Sequence, residues 1–478
     1  MTSPCTHNFS RAIPVESGYD LVVAGGGPGG CGAAISAARK GARVLLVEAT
    51  GTLGGMGTSA MVSAWSHMAN GKHSVIGGLM LELVETLYAR GGIAPSYDPA
   101  FWNTIHNRGL GYNTEAYKRL LDELCEAAGV EVRFFAKVIE AEADPTRKEV
   151  HGLILHQVEG MRFVEAKTFV DATGDAILAD LCGVVSRRAG RDTPHIMPPT
   201  LCSALAGIDY ERFHRKHQQE AVERALADGY FSQPDRHVPG LFRTGKTTAI
   251  LNAGHLFNMD ALDTVSLSEG MRNGRLLARE YTEFFKQYLE GCEEIEIVTS
   301  APAMGVRESR RIVGEYELDY EDYQARRHFP DQIAIYCKQP DVHVYDTSPE
   351  EYARYHREFE SMDVLQPGES YGIPYGVLVP KGWRNLWVAG RCCASDLKVN
   401  GAIRDQPACV MMGQAAGTAA VQAIRRKQSA AEIDTRELIE TLRADGANLP
   451  QRETATTLTR KEVRSDECAI VPTLVGSP

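Results

Sequence analysis

The sequence predicts an α/β fold with a parallel, Rossmann-like sheet, and three neighbouring segments predict it. The first is 21–23, an apolar run typical of a buried parallel strand. The second is a glycine-rich turn at 25–30, which leads into a small-residue helix over 31–39. The third is a second apolar strand, 42–47, which begins after Gly41 and ends at Glu48. Strand, turn, helix and strand in this order begin a doubly wound sheet.

The glycine turn fits the pattern G-x-G-x-x-G through Gly25, Gly27 and Gly30. In that pattern the first glycine makes the tight turn, the second lets the backbone approach a pyrophosphate, and the third allows close helix–strand packing. The helix N-terminus offers N–H groups and partial positive charge to the same phosphates. Glu48 can accept hydrogen bonds from both ribose hydroxyls and would repel a 2′-phosphate, so the ligand indicated is NAD or FAD.

More distant segments favour FAD. A second glycine loop with Gly54 and Gly55 allows the main chain to lie against a ribityl chain. Two further apolar runs, 168–175 and 385–391, end in glycine turns, where an FAD-binding sheet reaches back to its cofactor. A strand within 130–142 could bring the main chain near Val138 to the adenine. No second G-x-G-x-x-G follows residue 60, so a separate NAD(P)H domain is not predicted.

At this point the chain resembles a known family. The strings that carry the resemblance are GGGPGG at 25–30, LGGMGTS at 53–59, DATGD at 171–175, GVRESRRIVGEY at 305–316, YGIPYGVLVP at 371–380, VAGRCCASD at 388–396 and AIRDQPACVMMGQAAG at 402–417. They are similar to the FAD-dependent oxidoreductase family, two-dinucleotide-domain flavoproteins distantly like the fumarate reductase flavoproteins. The resemblance spans about 20–428 and says little about the substrate.

The resemblance implies a discontinuous, Rossmann-like FAD-binding domain with an inserted mixed α+β substrate domain. The FAD-binding domain would comprise 18–68, 113–202 and 368–428, and the substrate or cap domain 203–367. A small excursion would occupy 69–112, and a C-terminal helix and polar tail 429–478. The residues that we expect to contact FAD are Gly25, Gly27, Pro28, Gly29, Gly30, Glu48, Gly54, Gly55, Met56, Val138, Thr173, Gly174, Asp175, Gly390, Arg391 and Gln406. Arg391 stands where many such flavoproteins have an aspartate for the ribityl hydroxyls.

Arg404 is the first candidate for orienting an anionic or carbonyl-bearing substrate, because it lies in a loop like that of fumarate reductase relatives. A helix beginning near Pro407 would point its N-terminus at the flavin and stabilise negative charge there. The chain departs from the fumarate reductase pattern at 405–407, so identical chemistry is not implied. The alternative for Arg404 is a structural role, either pairing with Asp405 or holding the loop.

Arg307 and Glu308 are the other catalytic candidates, as an anion clamp or a proton-transfer pair beside the flavin. If 307–311 is a strand, alternation sends Arg307 and Arg311 to one face and Glu308 to the other. The alternative is a structural ion-pair network. Three histidines in the excursion, at 67, 73 and 106, are weaker candidates for a proton acceptor or a covalent flavin anchor. Cys392 and Cys393 are expected to pack near the cofactor.

Charge, the length of apolar stretches and cysteine spacing argue against other classes of protein and other kinds of site. The formal net charge of −11 gives no electrostatic case for nucleic acid or an anionic membrane. No apolar stretch is long enough to cross a bilayer, and the N-terminus has no signal core, so a cytoplasmic protein is expected. The eleven cysteines form no C-x-x-C pair, and no metal site is predicted. A phosphate-loop pattern at 240–247 lacks a preceding strand and is interpreted as a chance match.

The function predicted is that of an FAD-dependent dehydrogenase, oxidase or reductase. Hydride would pass between a small organic substrate and flavin N5, and electrons would pass on to an unidentified partner. A flavin-dependent monooxygenase is the alternative. A flavin-binding RNA-modifying protein or a redox sensor is a third reading, which the acidic charge disfavours.

Overall fold

The computed structural model describes residues 7, 9–94, 96–106 and 109–449. Its strands are β1 (Val15–Ala24), β2 (Val44–Val47), β3 (Ala64–Trp65), β4 (Leu110–Gly111), β5 (Glu131–Arg133), β6 (Lys137–Asp144), β7 (Glu149–Gln157), β8 (Gly160–Asp171), β9 (Ser186–Arg188), β10 (Ser203–Ala206), β11 (Gly240–Arg243), β12 (Ala249–Asn252), β13 (Glu296–Ser300), β14 (Arg310–Ile312), β15 (Gln332–Tyr336), β16 (Tyr371–Pro374) and β17 (Leu386–Val388). Its α-helices are α1 (Pro28–Arg39), α2 (Gly78–Ala89), α3 (Pro99–Asn103), α4 (Thr114–Ala128), α5 (Ile177–Leu181), α6 (Gln218–Ala227), α7 (Thr264–Tyr288), α8 (Tyr320–Gln324), α9 (Pro349–Glu360), α10 (Leu397–Ile403), α11 (Gln406–Arg426) and α12 (Thr435–Ala444).

A seven-stranded sheet organises the fold, in the order β5-β2-β1-β8-β7-β6, with β17 also paired to β8. The pairs among β1, β2, β5, β8 and β17 are parallel, whereas β6–β7 and β7–β8 are antiparallel. Leu21, Val22 and Val23 have no exposed surface, as expected for a central parallel strand covered on both faces. The predicted α/β, Rossmann-like fold is therefore confirmed.

Helices α1 and α11 pack against each other through small residues. A Cβ added at Gly413 would lie 2.0 Å from the Gly29 carbonyl oxygen, and one at Gly417 would lie 2.1 Å from that of Ala33. Only glycine permits so close an approach of two helix backbones at these positions. The α1 helix begins at Pro28, three residues earlier than expected, because proline is well suited to the first helical turn.

A second, antiparallel sheet has the order β11-β12-β10-β13 and carries a separate apolar core with Leu205, Phe284 and Phe285. The phosphate-loop-like stretch at 240–247 falls in the β11–β12 hairpin. No helix begins there, so the stretch lacks the geometry of a phosphate loop.

This second sheet lies within the predicted substrate domain, and the domain boundaries themselves stay predictions. Helix α12 lies in the predicted C-terminal segment, and its predicted polar tail, from 450 onward, lies outside the described residues. Within the described ranges, no helix has the length and apolar character needed to cross a membrane. The cytoplasmic location stays a prediction.

Candidate active site

A cavity of about 570 Å³ lies where four strands of the large sheet end. Its wall includes Gly25 after β1, Glu48 after β2, Ala172–Gly174 after β8 and Ala389–Arg391 after β17. Ligands of doubly wound sheets bind at the carboxyl ends of the strands, because the loops there converge on one crevice. The predicted dinucleotide loop therefore opens into this cavity.

The three fingerprint glycines have different roles. Gly25 has a φ of +95°, and a Cβ there would lie 2.6 Å from the Ala172 carbonyl oxygen. A Cβ at Gly30 would lie 1.8 Å from the Gly25 carbonyl oxygen. Around Gly27, by contrast, a Cβ would meet nothing nearer than the Ala172 oxygen at 3.9 Å. Gly25 and Gly30 are thus required by packing, while Gly27 keeps the cavity open at the start of α1.

Glu48 is buried at the edge of the cavity. Its Oε2 accepts a hydrogen bond from the Gly26 amide at 2.7 Å, and its Oε1 accepts from the Thr50 amide and hydroxyl at 2.7 and 2.8 Å. An ionised carboxylate offers about four lone-pair positions. The orienting bonds therefore leave acceptor capacity for a ribose hydroxyl.

The second glycine loop is tied to the first. The Gly54 amide donates to the Gly26 carbonyl at 2.8 Å, and both Gly54 and Gly55 have positive φ angles, +96° and +47°. A Cβ at Gly55 would lie 2.9 Å from the Gly27 Cα. Met56 follows in the cavity wall, so the two loops together form one continuous backbone surface.

The wall contains every predicted cofactor residue except Gly30, Gly54, Val138 and Asp175. Gly30 and Gly54 lie behind the loop surface, and Val138 is buried in β6. The backbone cradle, the acid after β2 and the glycine turns after β8 and β17 together fit an adenine dinucleotide bound along this wall. The specific contacts of each residue stay predictions.

Arg391 and Asp175 bind each other at the cavity wall, where the Arg391 guanidinium contacts the Asp175 Oδ1. Arg391 also donates to the Gly174 carbonyl at 2.9 Å and to the Val306 carbonyl at 2.6 Å. Asp175 accepts a further bond from the Ser309 hydroxyl at 2.6 Å. The pair therefore ties the loop after β8 to the loop after β17.

Helix α11 begins in the cavity wall, as predicted, with Gln406 and Pro407 in its first turn. The Gln406 side chain accepts a hydrogen bond from the Tyr112 hydroxyl at 2.8 Å and donates to the Val62 carbonyl at 2.6 Å. The side chain of its N-cap residue, Asp405, makes no capping hydrogen bond within the helix. The positive end of a long, buried helix thus meets the cavity.

Charged side chains form another part of the cavity wall. Arg404 contacts Asp341, with 3.4 Å from Nη2 to Oδ2. Lys338 bridges two carboxylates, at 3.2 Å from Asp341 and 2.8 Å from Asp405. Arg307 instead donates from Nη1 to the Pro198 carbonyl at 2.6 Å and the Thr200 hydroxyl at 2.9 Å. Cations and carboxylates are thus concentrated at one end of the cavity.

Arg307, Asp341 and Lys338 are charged near neutral pH. Burial and the neighbouring Arg404 lower the pKa of Arg307 to about 10, which still leaves it a cation. Burial raises the pKa of Asp341, but Lys338, His343 and Arg404 outweigh it and hold the pKa well below the usual range. Burial lowers the pKa of Lys338, but Asp341 and Asp405 outweigh it, and the net shift is upward.

The predicted strand alternation at 307–311 is wrong. The strand β14 contains only Arg310–Ile312, and Glu308 lies beside Arg311, with 2.9 Å between Oε1 and Nη1. Glu308 also accepts from the Met197 amide at 3.1 Å and does not belong to the cavity wall. The irregular backbone before β14 turns Glu308 toward Arg311, so the ion-pair network foreseen as the alternative accounts for it.

Four cavity residues were not predicted from the sequence: Lys338, Asp341, His237 and His343. The histidines at 67, 73 and 106, which it did consider, are not among the wall residues. Lys338, Asp341 and His343 are close in sequence, but they lie in a loop without a recognisable spacing. Only the fold brings them close to Arg307 and Arg404.

A sequence model of the family described as FAD dependent oxidoreductase matches residues 20–442. Dihydrolipoyl dehydrogenase of Trypanosoma brucei brucei is 53% identical over 47 residues, which are 10% of this chain and 10% of that protein. The chain therefore aligns with about a tenth of that relative's length.

Solved structures cover most of the chain at low identity. A geranylgeranyl bacteriochlorophyll reductase-like protein from Thermoplasma acidophilum is 13% identical, with a TM-score of 0.44 over 90% of this chain and 83% of that chain. The p-nitrophenol 4-monooxygenase of Pseudomonas putida is 12% identical, with a TM-score of 0.44 over 90% of this chain and 89% of that chain. The L-proline dehydrogenase of P. horikoshii is 11% identical, with a TM-score of 0.43 over 90% of this chain and 99% of that chain. Likenesses of this degree do not indicate which reaction this chain performs.

Proposed function

We propose, from the premise that this chain belongs to the FAD-dependent oxidoreductase family, that it transfers hydride between a small, negatively charged organic substrate and FAD. FAD supplies the redox chemistry when bound, because its flavin ring exchanges hydride with a substrate carbon. The residues of the chain bind the substrate, orient it and exclude water. Under this proposal Arg307 and Arg404 are the substrate-binding residues, and Glu308 holds Arg311.

The observation that carries the proposal is the environment of Arg307. Its guanidinium lines the cavity, and among the described residues no carboxylate lies within 4.0 Å of it. Its hydrogen bonds, both from Nη1, go to neutral oxygens. A guanidinium has five N–H donors in a fixed fork, so Nε and Nη2 remain for a ligand. A half-buried cation without a contacting carboxylate is costly, and an anionic substrate would lower that cost.

Arg404 supports the same conclusion with a different geometry. It is already in contact with Asp341, so its charge is partly balanced before a substrate binds. Its Nη2 also donates to the Asp341 carbonyl at 3.2 Å, which fixes the guanidinium in the wall. We therefore expect Arg307 to provide most of the affinity for the anionic group and Arg404 to orient it.

The test uses the flavin-containing protein under anaerobic conditions. Small carboxylates, each paired with its neutral amide, are screened for bleaching of the flavin absorbance. Photoreduced protein is screened in parallel for reoxidation by unsaturated acids and 2-oxo acids. We expect at least one carboxylate to react while its amide does not. Reaction with amides and carboxylates alike would contradict the proposal.

Arg307→Gln is the matched variant for the reacting carboxylate. A charge-assisted hydrogen bond contributes about 1.5–3 kcal/mol, so the half-saturating concentration should rise by about ten- to a hundredfold. The control is Arg212→Gln, which removes an exposed arginine paired with Glu293 at the surface. Flavin reduction by NADPH alone, without a substrate, would instead favour a monooxygenase.

A further inference from the structure

A cluster of three histidines lies at the charged end of the cavity. One ring nitrogen from each of His237, His255 and His343 lies within 4.8 Å of the others. His237 and His343 belong to the cavity wall, and His255 is buried behind them with 2% exposure. The FAD-dependent reaction proposed above assigns no role to this cluster.

The second sheet explains why two of these residues meet. The antiparallel register of β11 and β12 pairs Gly240 with Asn252. His237 stands three residues before Gly240, and His255 stands three residues after Asn252. The segments before β11 and after β12 therefore leave the hairpin on the same side. The ring centroids of His237 and His255 lie 5.0 Å apart. His343 arrives from the loop between β15 and α9, with its ring centroid 5.0 Å from that of His255.

A buried carboxylate fixes the orientation of the His255 ring. The Nδ1 of His255 lies 2.8 Å from the Oδ2 of Asp235, which is 1% exposed. The other oxygen of Asp235 accepts from the His237 amide at 2.9 Å and from the Tyr352 hydroxyl at 2.9 Å. Asp235 is thus negatively charged beside Nδ1, which favours the tautomer of His255 with its proton on Nδ1 and a lone pair on Nε2.

His343 lies on the opposite side, in a looser contact with a carboxylate. Its Nε2 lies 3.5 Å from the Oδ1 of Asp341, and its Nδ1 lies 3.0 Å from the Nε2 of His255. In the tautomers that place both protons on the outer nitrogens, beside the carboxylates, the inner nitrogens face each other with lone pairs. Two lone pairs at this distance repel unless a cation or a proton lies between them.

We infer that His237, His255 and His343 form a binding site for a divalent first-row transition metal ion. Imidazole nitrogen coordinates such ions at about 2.0–2.1 Å, so two ligands of a tetrahedral ion lie roughly 3.3 Å apart. That spacing is close to the 3.0 Å between the inner nitrogens of His255 and His343. A carboxylate bound to the outer nitrogen of a ligating histidine is the usual second shell of such a site.

The donor set also indicates the class of ion and its open position. Imidazole ligands suit Zn²⁺, Fe²⁺, Cu²⁺ and Ni²⁺ rather than Mg²⁺ or Ca²⁺, which prefer oxygen. Asp235 and Asp341 supply negative charge opposite the ion, although Lys338 and Arg404 also contact Asp341. Three protein ligands leave a fourth position, which faces the cavity because His237 and His343 line it. A water molecule or a substrate oxygen would occupy that position.

The test is metal binding by the untagged, FAD-containing protein after treatment with a chelator. Zn²⁺ is titrated by calorimetry, and retained metal is measured after desalting by mass spectrometry. We expect about one equivalent of zinc and a higher thermal midpoint with zinc than without it. Wild-type protein that binds well under one equivalent overturns the inference, and this result requires no variant. It would leave the proposed flavin reaction unaffected.

Variants locate the site. His255→Gln and His343→Gln should each weaken zinc binding by at least tenfold, and Asp235→Asn by about ten- to a hundredfold. The control is His151→Gln, at an exposed position of β7 far from the cluster in sequence. Each variant is compared at equal FAD content and with its own thermal midpoint. Zinc binding that is unchanged in both histidine variants also overturns the inference.

Discussion

Two alanine substitutions, Gly27→Ala and Gly30→Ala, separate the cofactor role of the glycine loop from its structural role. The two positions are three residues apart at the start of α1, and both belong to the same fingerprint. Their surroundings differ, because a Cβ at Gly30 has a backbone atom at 1.8 Å, whereas one at Gly27 has none nearer than 3.9 Å. We therefore expect the first variant to lose FAD and the second to lose stability.

Gly30→Ala must move the backbone of the loop. Real Cβ atoms stay at least about 3 Å from other heavy atoms, so Gly25 or the helix would have to shift by more than an ångström. Overpacking in a well-packed core costs about 1–3 kcal/mol, occasionally more, and a backbone clash belongs at the upper end of that range. The protein without FAD should therefore unfold at a clearly lower urea concentration.

Gly27→Ala leaves the protein intact. Gly27 has φ −71° and ψ −173°, angles that alanine adopts without strain, and alanine at an N-cap costs at most about 1 kcal/mol. The added methyl group would occupy the cavity where we expect the pyrophosphate to approach. Losing one charge-assisted hydrogen bond there costs about 1.5–3 kcal/mol, so the dissociation constant for FAD should rise ten- to a hundredfold.

The assay measures both quantities on flavin-free protein. Urea unfolding gives the free energy of unfolding, and a titration of FAD fluorescence gives the dissociation constant. An FAD affinity of Gly27→Ala within twofold of wild type would refute the assignment of this loop to the pyrophosphate. A Gly30→Ala variant as stable as wild type would refute the packing argument.

Three further substitutions test the packing and the buried charges. Glu308→Ala breaks a buried ion pair with Arg311, so the free energy of unfolding, measured in urea, should fall by about 3–5 kcal/mol, with FAD affinity unchanged. Gly417→Ala forces α11 away from Ala33 and should lower the urea midpoint by the equivalent of about 1–3 kcal/mol; an unchanged midpoint would contradict the close approach. Burial raises the pKa of Asp396 to about 6, above the ordinary value of about 3.9. The folded state therefore binds this proton more tightly than the unfolded state does. The stability of the wild type falls as pH rises from about 4 to 6. Asp396→Asn removes that dependence and should gain about 2–3 kcal/mol relative to wild type between pH 4 and pH 7, measured by melts at both values.

The nucleotide end of the site was predictable because its parts are local. Gly25, Gly27, Gly30 and Glu48 are close in sequence, and each is required by backbone geometry or by a ligand at a fixed distance along one strand–helix–strand unit. The start of α11 near Pro407 was predictable for the same reason, since proline has a strong positional preference. The position of the Glu308 side chain was not predictable, because its direction depended on whether a short segment formed a strand.

The sequence by itself determined an α/β sheet, a glycine loop of the dinucleotide-binding pattern at 25–30 and membership of a flavoenzyme family, because these depend on patterns within short stretches of chain. Only the tertiary structure decided what faces the other end of the cavity. Arg307, Lys338, Asp341 and the histidine cluster of His237, His255 and His343 come from separate loops and converge through long-range packing. Their function depends on distances between side chains remote in sequence, and no local spacing encodes such distances.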